Sequence, residues 1–173
     1  MNTVDARADR GWKQIDLRVL REGDDAFLRA VYASTRTAEL AATGWNAGQV
    51  DAFIDMQFEA QRSHYWRHYD TRRFRIIVCD GIDAGRLYVD RRGSDLRVVD
   101  IALLPSFRNR GIATRLFAAL FDEADRDGLS VSIHVEFNNP AQSLYARLGF
   151  AVRSDAGEIH RLMERPPRIA ALA

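Results

Sequence analysis

Two short stretches concentrate the polar residues able to act on a ligand. In Leu103-Leu104-Pro105-Ser106-Phe107-Arg108-Asn109-Arg110-Gly111-Ile112-Ala113-Thr114, an apolar run ends at a proline, arginines follow, and a glycine opens an amphipathic helix. The first N–H groups of a helix lack partners and carry the positive end of its dipole, so such a turn attracts phosphate. Gly111 lets a ligand approach the backbone, and Arg108 and Arg110 add full charges. The turn is neither of two familiar phosphate motifs. Ala113-Thr114-Arg115 stands where a P-loop needs lysine and a hydroxyl residue, and a dinucleotide fingerprint needs three spaced glycines. The second stretch is Asn138-Asn139-Pro140-Ala141-Gln142-Ser143-Leu144-Tyr145-Ala146-Arg147-Leu148-Gly149-Phe150. Pro140 suits a helix start, Tyr145 shares a face with Ala141, Leu144 and Leu148, and Gly149 stops the helix. Between the two, His134 lies on the alternating strand Val131–Val135, and just before the first Asp100 interrupts an otherwise apolar strand. A carboxylate there is costly unless paired or functional, and an imidazole titrates near neutrality.

The elements that hold these residues follow from periodicity. Val98 to Leu104 reads as a buried strand that Pro105 ends, having no N–H for a ladder. Ile112, Leu116, Ala119, Leu120 and Ala124 recur at helical spacing, widened by Phe117 and Phe121, with Gly128 as a left-handed cap. Val131–Val135 alternates as a strand, and the right-handed crossover rule makes it parallel to Val98–Leu103. Upstream, Ile15–Leu20 predicts a first strand. Asp24 or Asp25 then caps a helix running to about Arg36, and Asn46 caps a second helix through Tyr65. Phe74–Cys79, the turn Asp80-Gly81, Gly85–Val89 and Leu96–Leu103 form an antiparallel meander. Phe150–Arg153 and Glu158–Met163 form a final hairpin.

The arrangement resembles the GCN5-related N-acetyltransferase (GNAT) superfamily. Arg108-Asn109-Arg110-Gly111-Ile112-Ala113 fits its Arg/Gln-x-x-Gly-x-Gly/Ala signature, and Asn138 to Phe150 fits its Asn-x-x-Ala-x-x-x-Tyr-x-x-x-Gly-Phe motif. The resemblance is close over Val98 to Phe150 and looser elsewhere. It implies an α/β (α+β) fold: a mixed, mostly antiparallel seven-strand sheet, helices on both faces, and a splayed parallel pair at the centre. It also implies acetyl-CoA as cosubstrate and a primary amine, of a small molecule or a peptide or protein, as acceptor. The pantetheine arm would bond to backbone around Ile101 and Leu103, the Leu103 N–H serving the thioester oxygen. The pyrophosphate would rest on Arg108, Asn109, Arg110, Gly111, Ile112, Ala113 and Thr114. Tyr145 occupies the general-acid position, and Asn138, or Asn139 if the strand is bulged, contacts the cosubstrate. An amine of pKa about 10.4 is protonated at neutral pH and needs a base; Asp100, His134 and a water relay remain open, since the glutamate of some relatives is missing here. Acceptor residues are expected at Thr35, Arg36, Glu39, Trp45 and Gln57 and on Arg86–Asp90. The rival reading is a non-catalytic acyl-CoA-binding regulatory module.

At 173 residues with 47% hydrophobic and 28% charged residues, the chain has the size and composition of one globular domain, with residues 1–11 loose and 166–173 a tail. A formal net charge of +1 gives no bulk attraction to nucleic acid or anionic membrane. The aromatic and basic run His64–Tyr69 reads as the end of a helix snorkelling over the core rather than a metal pair, and no metal is expected. Cys79, the single cysteine, lies in an apolar run and reads as a small buried hydrophobe. No basic-then-apolar leader opens the chain, so a cytoplasmic location is the default expectation. The resemblance allows a homodimer, for which the sequence shows no particular interface.

Overall fold

The computed structural model describes residues 12–157 and 159–168, so the expected loose N-terminus, Glu158 of the final hairpin and residues 169–173 of the tail lie outside the described residues. One seven-stranded sheet forms the frame, in the order β1-β2-β3-β4-β5-β7-β6. The strands are β1 (Ile15–Val19), β2 (Phe74–Cys79), β3 (Ile82–Arg92), β4 (Asp95–Leu103), β5 (Ser130–Glu136), β6 (Ala151–Ala156) and β7 (His160–Arg165). All neighbours are antiparallel except β4 and β5, which are parallel at the centre. The last hairpin folds back so that β7, not β6, pairs with β5.

Helices α1 (Asp25–Ala41) and α2 (Ala47–His68) cover one face; α3 (Ile112–Asp127) and α4 (Gln142–Arg147) cover the other. The first helix extends five residues past the expected end at Arg36, and the break falls at Thr43–Asn46 as the pattern requires. Asn46 caps α2 through a reciprocal pair: its Oδ1 accepts from the Gln49 N–H, and the Gln49 Oε1 accepts from the Asn46 N–H. Asp24 holds the N-cap position of α1 but spends its carboxylate on the Arg18 guanidinium and the Arg21 N–H instead. On α3 the buried residues are Ile112, Leu116, Phe117, Leu120 and Ala124. Ala119, expected on that face, is exposed, because Phe117 and Leu120 turn the stripe away from it. Each large side chain in the stripe contributes about 1.5–3 kcal/mol by leaving water.

Two irregularities shape the centre of the sheet. In the β3–β4 ladder Tyr88 pairs with Asp100 but Val89 pairs with Val98, so Val99 is an extra residue in β4. This bulge switches the parity of the strand. Before it, Leu96 and Val98 point to the α3 side; after it, Ile101 and Leu103 do, leaving Asp100 on the α1–α2 side with Val99. The second irregularity is the parting of β4 and β5. Their pairing runs from Asp95–Ser130 to Val98–Ile133 and stops, although both strands continue.

Candidate active site

The parting of the parallel pair opens a cleft of about 560 Å³. Its floor is β4 from Arg97 to Ala102 and β5 from Ile133 to Glu136, and α1, α2, Asn139, Tyr145 and His160 wall it. The backbone there is aimed by register. The Leu104 N–H bonds to the Ala84 carbonyl at 2.9 Å, which makes that pair a hydrogen-bonded one. Bonded and non-bonded pairs alternate along an antiparallel ladder. Gly85–Leu103 and Leu87–Ile101 are therefore non-bonded pairs, and the N–H and C=O groups of Ile101 and Leu103 point away from β3 into the gap. Gly85 is required opposite them: a Cβ there would meet the Ala102 carbonyl oxygen at 2.1 Å.

From the end of β4 the chain makes one tight turn at Pro105–Phe107 and two left-handed positions, Asn109 (φ 58°) and Gly111 (φ 73°), before α3 begins. Asparagine tolerates that conformation through local hydrogen bonding, and glycine adopts it freely. A Cβ built on Gly111 would meet nothing within 4 Å, so the space above this helix start is open. Arg108 does not extend into it. Its Nε donates to the Leu103 carbonyl at 2.8 Å, and its Nη2 donates to the Ser34 Oγ and carbonyl at 2.9 and 3.1 Å. Arg108 thus pins the turn to β4 and α1. The Arg110 guanidinium lies over the Trp12 ring, 5.6 Å from its centroid.

Tyr145 is buried on α4, packed against Phe117 and Phe150 at ring distances of 5.6 and 5.8 Å, and borders the cleft. Burial first, and the negative charge of Asp100 second, push its phenol well above the ordinary 10, which keeps it protonated. Asp100 sits across the gap, paired with an almost fully buried Arg86, Nη2 to Oδ2 at 2.6 Å. The Tyr65 hydroxyl donates to the same oxygen at 3.3 Å, and Arg86 also donates to the Gln61 Oε1 at 2.8 Å. Both contacts to Asp100 fall on Oδ2, and the residue lines the cleft. The Nε of Arg86 is buried without a partner.

Of the expected acceptor residues, Thr35, Arg36 and Arg86 line the cleft; Glu39, Trp45 and Gln57 do not. Trp45 packs edge-on against Phe53 at 5.2 Å, and Glu39 pairs with Arg36. The helix α2 meets the cleft one turn later, through Gln61, His64, Tyr65 and Tyr69. The aromatic and polar run at the end of that helix was the available signal. Of the two asparagines, Asn139 borders the cleft, and its Oδ1 accepts from the Ala141 N–H at 2.9 Å to start the turn into α4. Asn138 is exposed and outside the lining. His134 lines the cleft with Arg97 and His160. His64 and His68 stack at 4.4 Å, and the described residues hold no group of three or more His, Cys, Asp or Glu arranged for a metal ion. Cys79 is fully buried, where burial raises its thiol pKa. No helix among the described residues is long and apolar enough to cross a membrane.

A parallel pair parted over backbone N–H groups that face the gap, a helix start open to an anion and a protonated phenol beside the gap are the features of an acyltransferase acting on a coenzyme A thioester. The profile of the acetyltransferase (GNAT) family matches residues 45–150, and the chain belongs to that family. As such it is an acyl-CoA-dependent N-acetyltransferase. Among curated proteins none matches it. Solved structures share the fold at low identity. The PaiA N-acetyltransferase of Thermoplasma acidophilum, in complex with coenzyme A, aligns with a TM-score of 0.66 and 16% identity over 88% of this chain and 99% of its own. For the ribosomal-protein alanine N-acetyltransferase of Escherichia coli the values are 0.58 and 18%, over 92% and 97%. For an acetyltransferase of Thermus thermophilus they are 0.60 and 19%, over 91% and 99%.

Proposed function

We propose that the protein transfers acetyl from acetyl-CoA directly to a primary amine, with Asp100 and Tyr145 acting from opposite sides of the gap. The observation that carries this is that both line the opening where β4 and β5 part, one a carboxylate whose contacts from Arg86 and Tyr65 both fall on Oδ2 and the other a phenol held protonated. The N–H groups from Asn109 to Thr114 cradle the pyrophosphate, with Arg108 bracing the turn and its own N–H spent on the Pro105 carbonyl. Ile101 and Leu103 bond the pantetheine arm, and Asn139 rather than Asn138 contacts it. Asp100 Oδ1 receives the acceptor's ammonium and takes its proton, alone or through a water. The amine nitrogen then forms its bond to the thioester carbon. The Leu103 N–H donates to the carbonyl oxygen as charge builds there, an interaction of the kind worth about 3–4 kcal/mol in the barrier. As the carbon–sulfur bond breaks, Tyr145 gives its proton to the leaving thiolate.

His134 is the poorer base. Arg97 Nη1 lies 3.4 Å from its Nδ1. A guanidinium can only donate, so that lone pair is occupied and the neutral ring carries its proton on Nε2. The test is Tyr145→Phe, which keeps the ring packing. With wild-type thiol release established on an amine, the variant should lose about 10²-fold or more in kcat while its acetyl-CoA KM stays near the wild-type value. Recovery of the lost rate with an acetyl thioester of a more acidic thiol would identify the missing step as proton donation. An unchanged kcat would take the acid role from Tyr145.

A further inference from the structure

Beyond Asp100 the cleft has a second polar end that acetyl transfer does not use. Arg97 lies on β4 opposite Ser132 of β5; His134 is two residues further along β5, and His160 opens β7 opposite Glu136. All three line the cleft. Among the described lining residues there are three guanidinium groups, from Arg36, Arg86 and Arg97. Arg86 pairs with Asp100, and Arg36 with Glu136, inside the lining, while Arg36 also pairs with Glu39 outside it. Arg97 differs. Its partner Asp95, at 3.3 Å, is outside the lining, and its other contacts are the neutral Ser132 Oγ at 2.6 Å and His134. Among the described lining residues three guanidinium groups thus meet two carboxylates, and Arg97 is the one whose carboxylate partner lies wholly outside the lining. His134 adds an N–H donor beside that charge, since its Nδ1 accepts from Arg97 and its proton is on Nε2. Burial, Arg97 and His160 together hold the ring's pKa below the ordinary 6.5.

Resting on the acetyltransferase reading of this cleft, we propose that Arg97, His134 and His160 bind a carboxylate on the acceptor, which is thus an amine that also carries a negative charge. Arg97 and Asp100 are three residues apart on a strand that rises about 3.3 Å per residue and is shortened by the bulge at Val99. The amine and the carboxylate are accordingly separated by several bonds, as in an ω-amino acid or the side chain and terminus of a short peptide. An α-amino acid lacking a longer side chain does not span the two ends.

The experiment compares three acceptors of equal length, ω-aminopentanoate, pentylamine and the diamine cadaverine. The expected kcat/KM for ω-aminopentanoate exceeds both others by about tenfold or more, the range of a charge-assisted hydrogen bond. Arg97→Gln brings that ratio towards one, and Arg97→Lys keeps most of it. A second readout needs no turnover. With the protein saturated by coenzyme A, ω-aminopentanoate should shift the ring proton resonances of His134 and His160 and raise the pKa of His134, effects that Arg97→Gln removes. A preference for cadaverine, a ratio that Arg97→Gln does not move, or imidazoles silent to ω-aminopentanoate would overturn the assignment. Failure of the acetyltransferase reading itself shows separately, as absence of acetyl-CoA binding.

Discussion

Replacing Arg86 by methionine tests the pairing that orients Asp100. Methionine fills most of the volume of the arginine stem but leaves Asp100 with only the Tyr65 hydroxyl on Oδ2 among the described residues. Arg86 is 3% exposed and Asp100 14%, so the carboxylate loses its counter-charge where little water reaches it. Breaking such a pair by removing one partner costs about 3–5 kcal/mol. Asp100 borders an open cleft, which lets some water compensate and favours the lower end, about 3 kcal/mol. For a chain of this size each kcal/mol moves Tm by about 2–4 °C, so the expected fall is about 6–12 °C. Adding Asp100→Asn to Arg86→Met removes the stranded charge and should recover part of the loss, although Asp100→Asn alone destabilises by stranding Arg86. Urea unfolding at neutral pH, with calorimetric Tm as a check, measures all four corners of this cycle. Arg86→Met within about 1 kcal/mol of wild type, or a double variant no more stable than Arg86→Met, would refute the argument that the pair is a coupled buried unit.

Three further outcomes follow from the same geometry. Arg108→Ala frees the turn before α3 from Leu103 and Ser34 and, on the proposed reading of that turn, should raise the acetyl-CoA KM about tenfold with a small change in Tm, since exposed hydrogen bonds contribute about 1 kcal/mol each. Asp125 accepts two hydrogen bonds from Arg165 at 2.8 Å, and this pairing pulls its carboxyl from 3.8 to about 2. A folded-state pKa below the unfolded one gives stability that is full above pH 4 and lost as pH falls towards 2, so Asp125→Asn should flatten the Tm profile across that window. Tyr145→Phe should lower kcat without moving the acetyl-CoA KM, as measured by thiol release.

The parts of this molecule that were legible in the sequence are those set by strong, local patterns. The stripe on α3 and the glycine that opens it, the Asp80-Gly81 turn and the Asn46 cap each rest on chemistry within a few residues, and the crossover from β4 to β5 rests on the handedness rule. The bulge at Val99 was not legible: valine is ordinary in a strand, and only the ladder with β3 shows that it is unpaired. That one residue turns Asp100 to the α1–α2 side, where it meets Arg86 and Tyr65. Which residues of α2 meet the cleft does not follow from spacing, because the helix carries polar and aromatic residues nearly all round; Gln61, His64, Tyr65 and Tyr69 are the ones that line it. Gln57 and Gln61 share a stripe, and only the tilt of the helix over the sheet decides which of them meets the cleft. Arg108 read as a phosphate ligand from its position beside Gly111, but Ser34, distant in sequence, captures its guanidinium. Contacts between residues far apart in the chain leave no mark on spacing.

The most direct measurement is acetyl-CoA binding by calorimetry on wild type and on Gly111→Arg, followed by thiol release with a panel of amines. Gly111 has φ 73° and open space above it, so an arginine side chain there strains the backbone by about 1–2 kcal/mol and enters the open space where the proposed reading puts the pyrophosphate. The account predicts that wild type binds and acetylates at least one amine, and that Gly111→Arg remains folded but no longer binds. Wild type failing to bind, or Gly111→Arg binding as tightly as wild type, would contradict it.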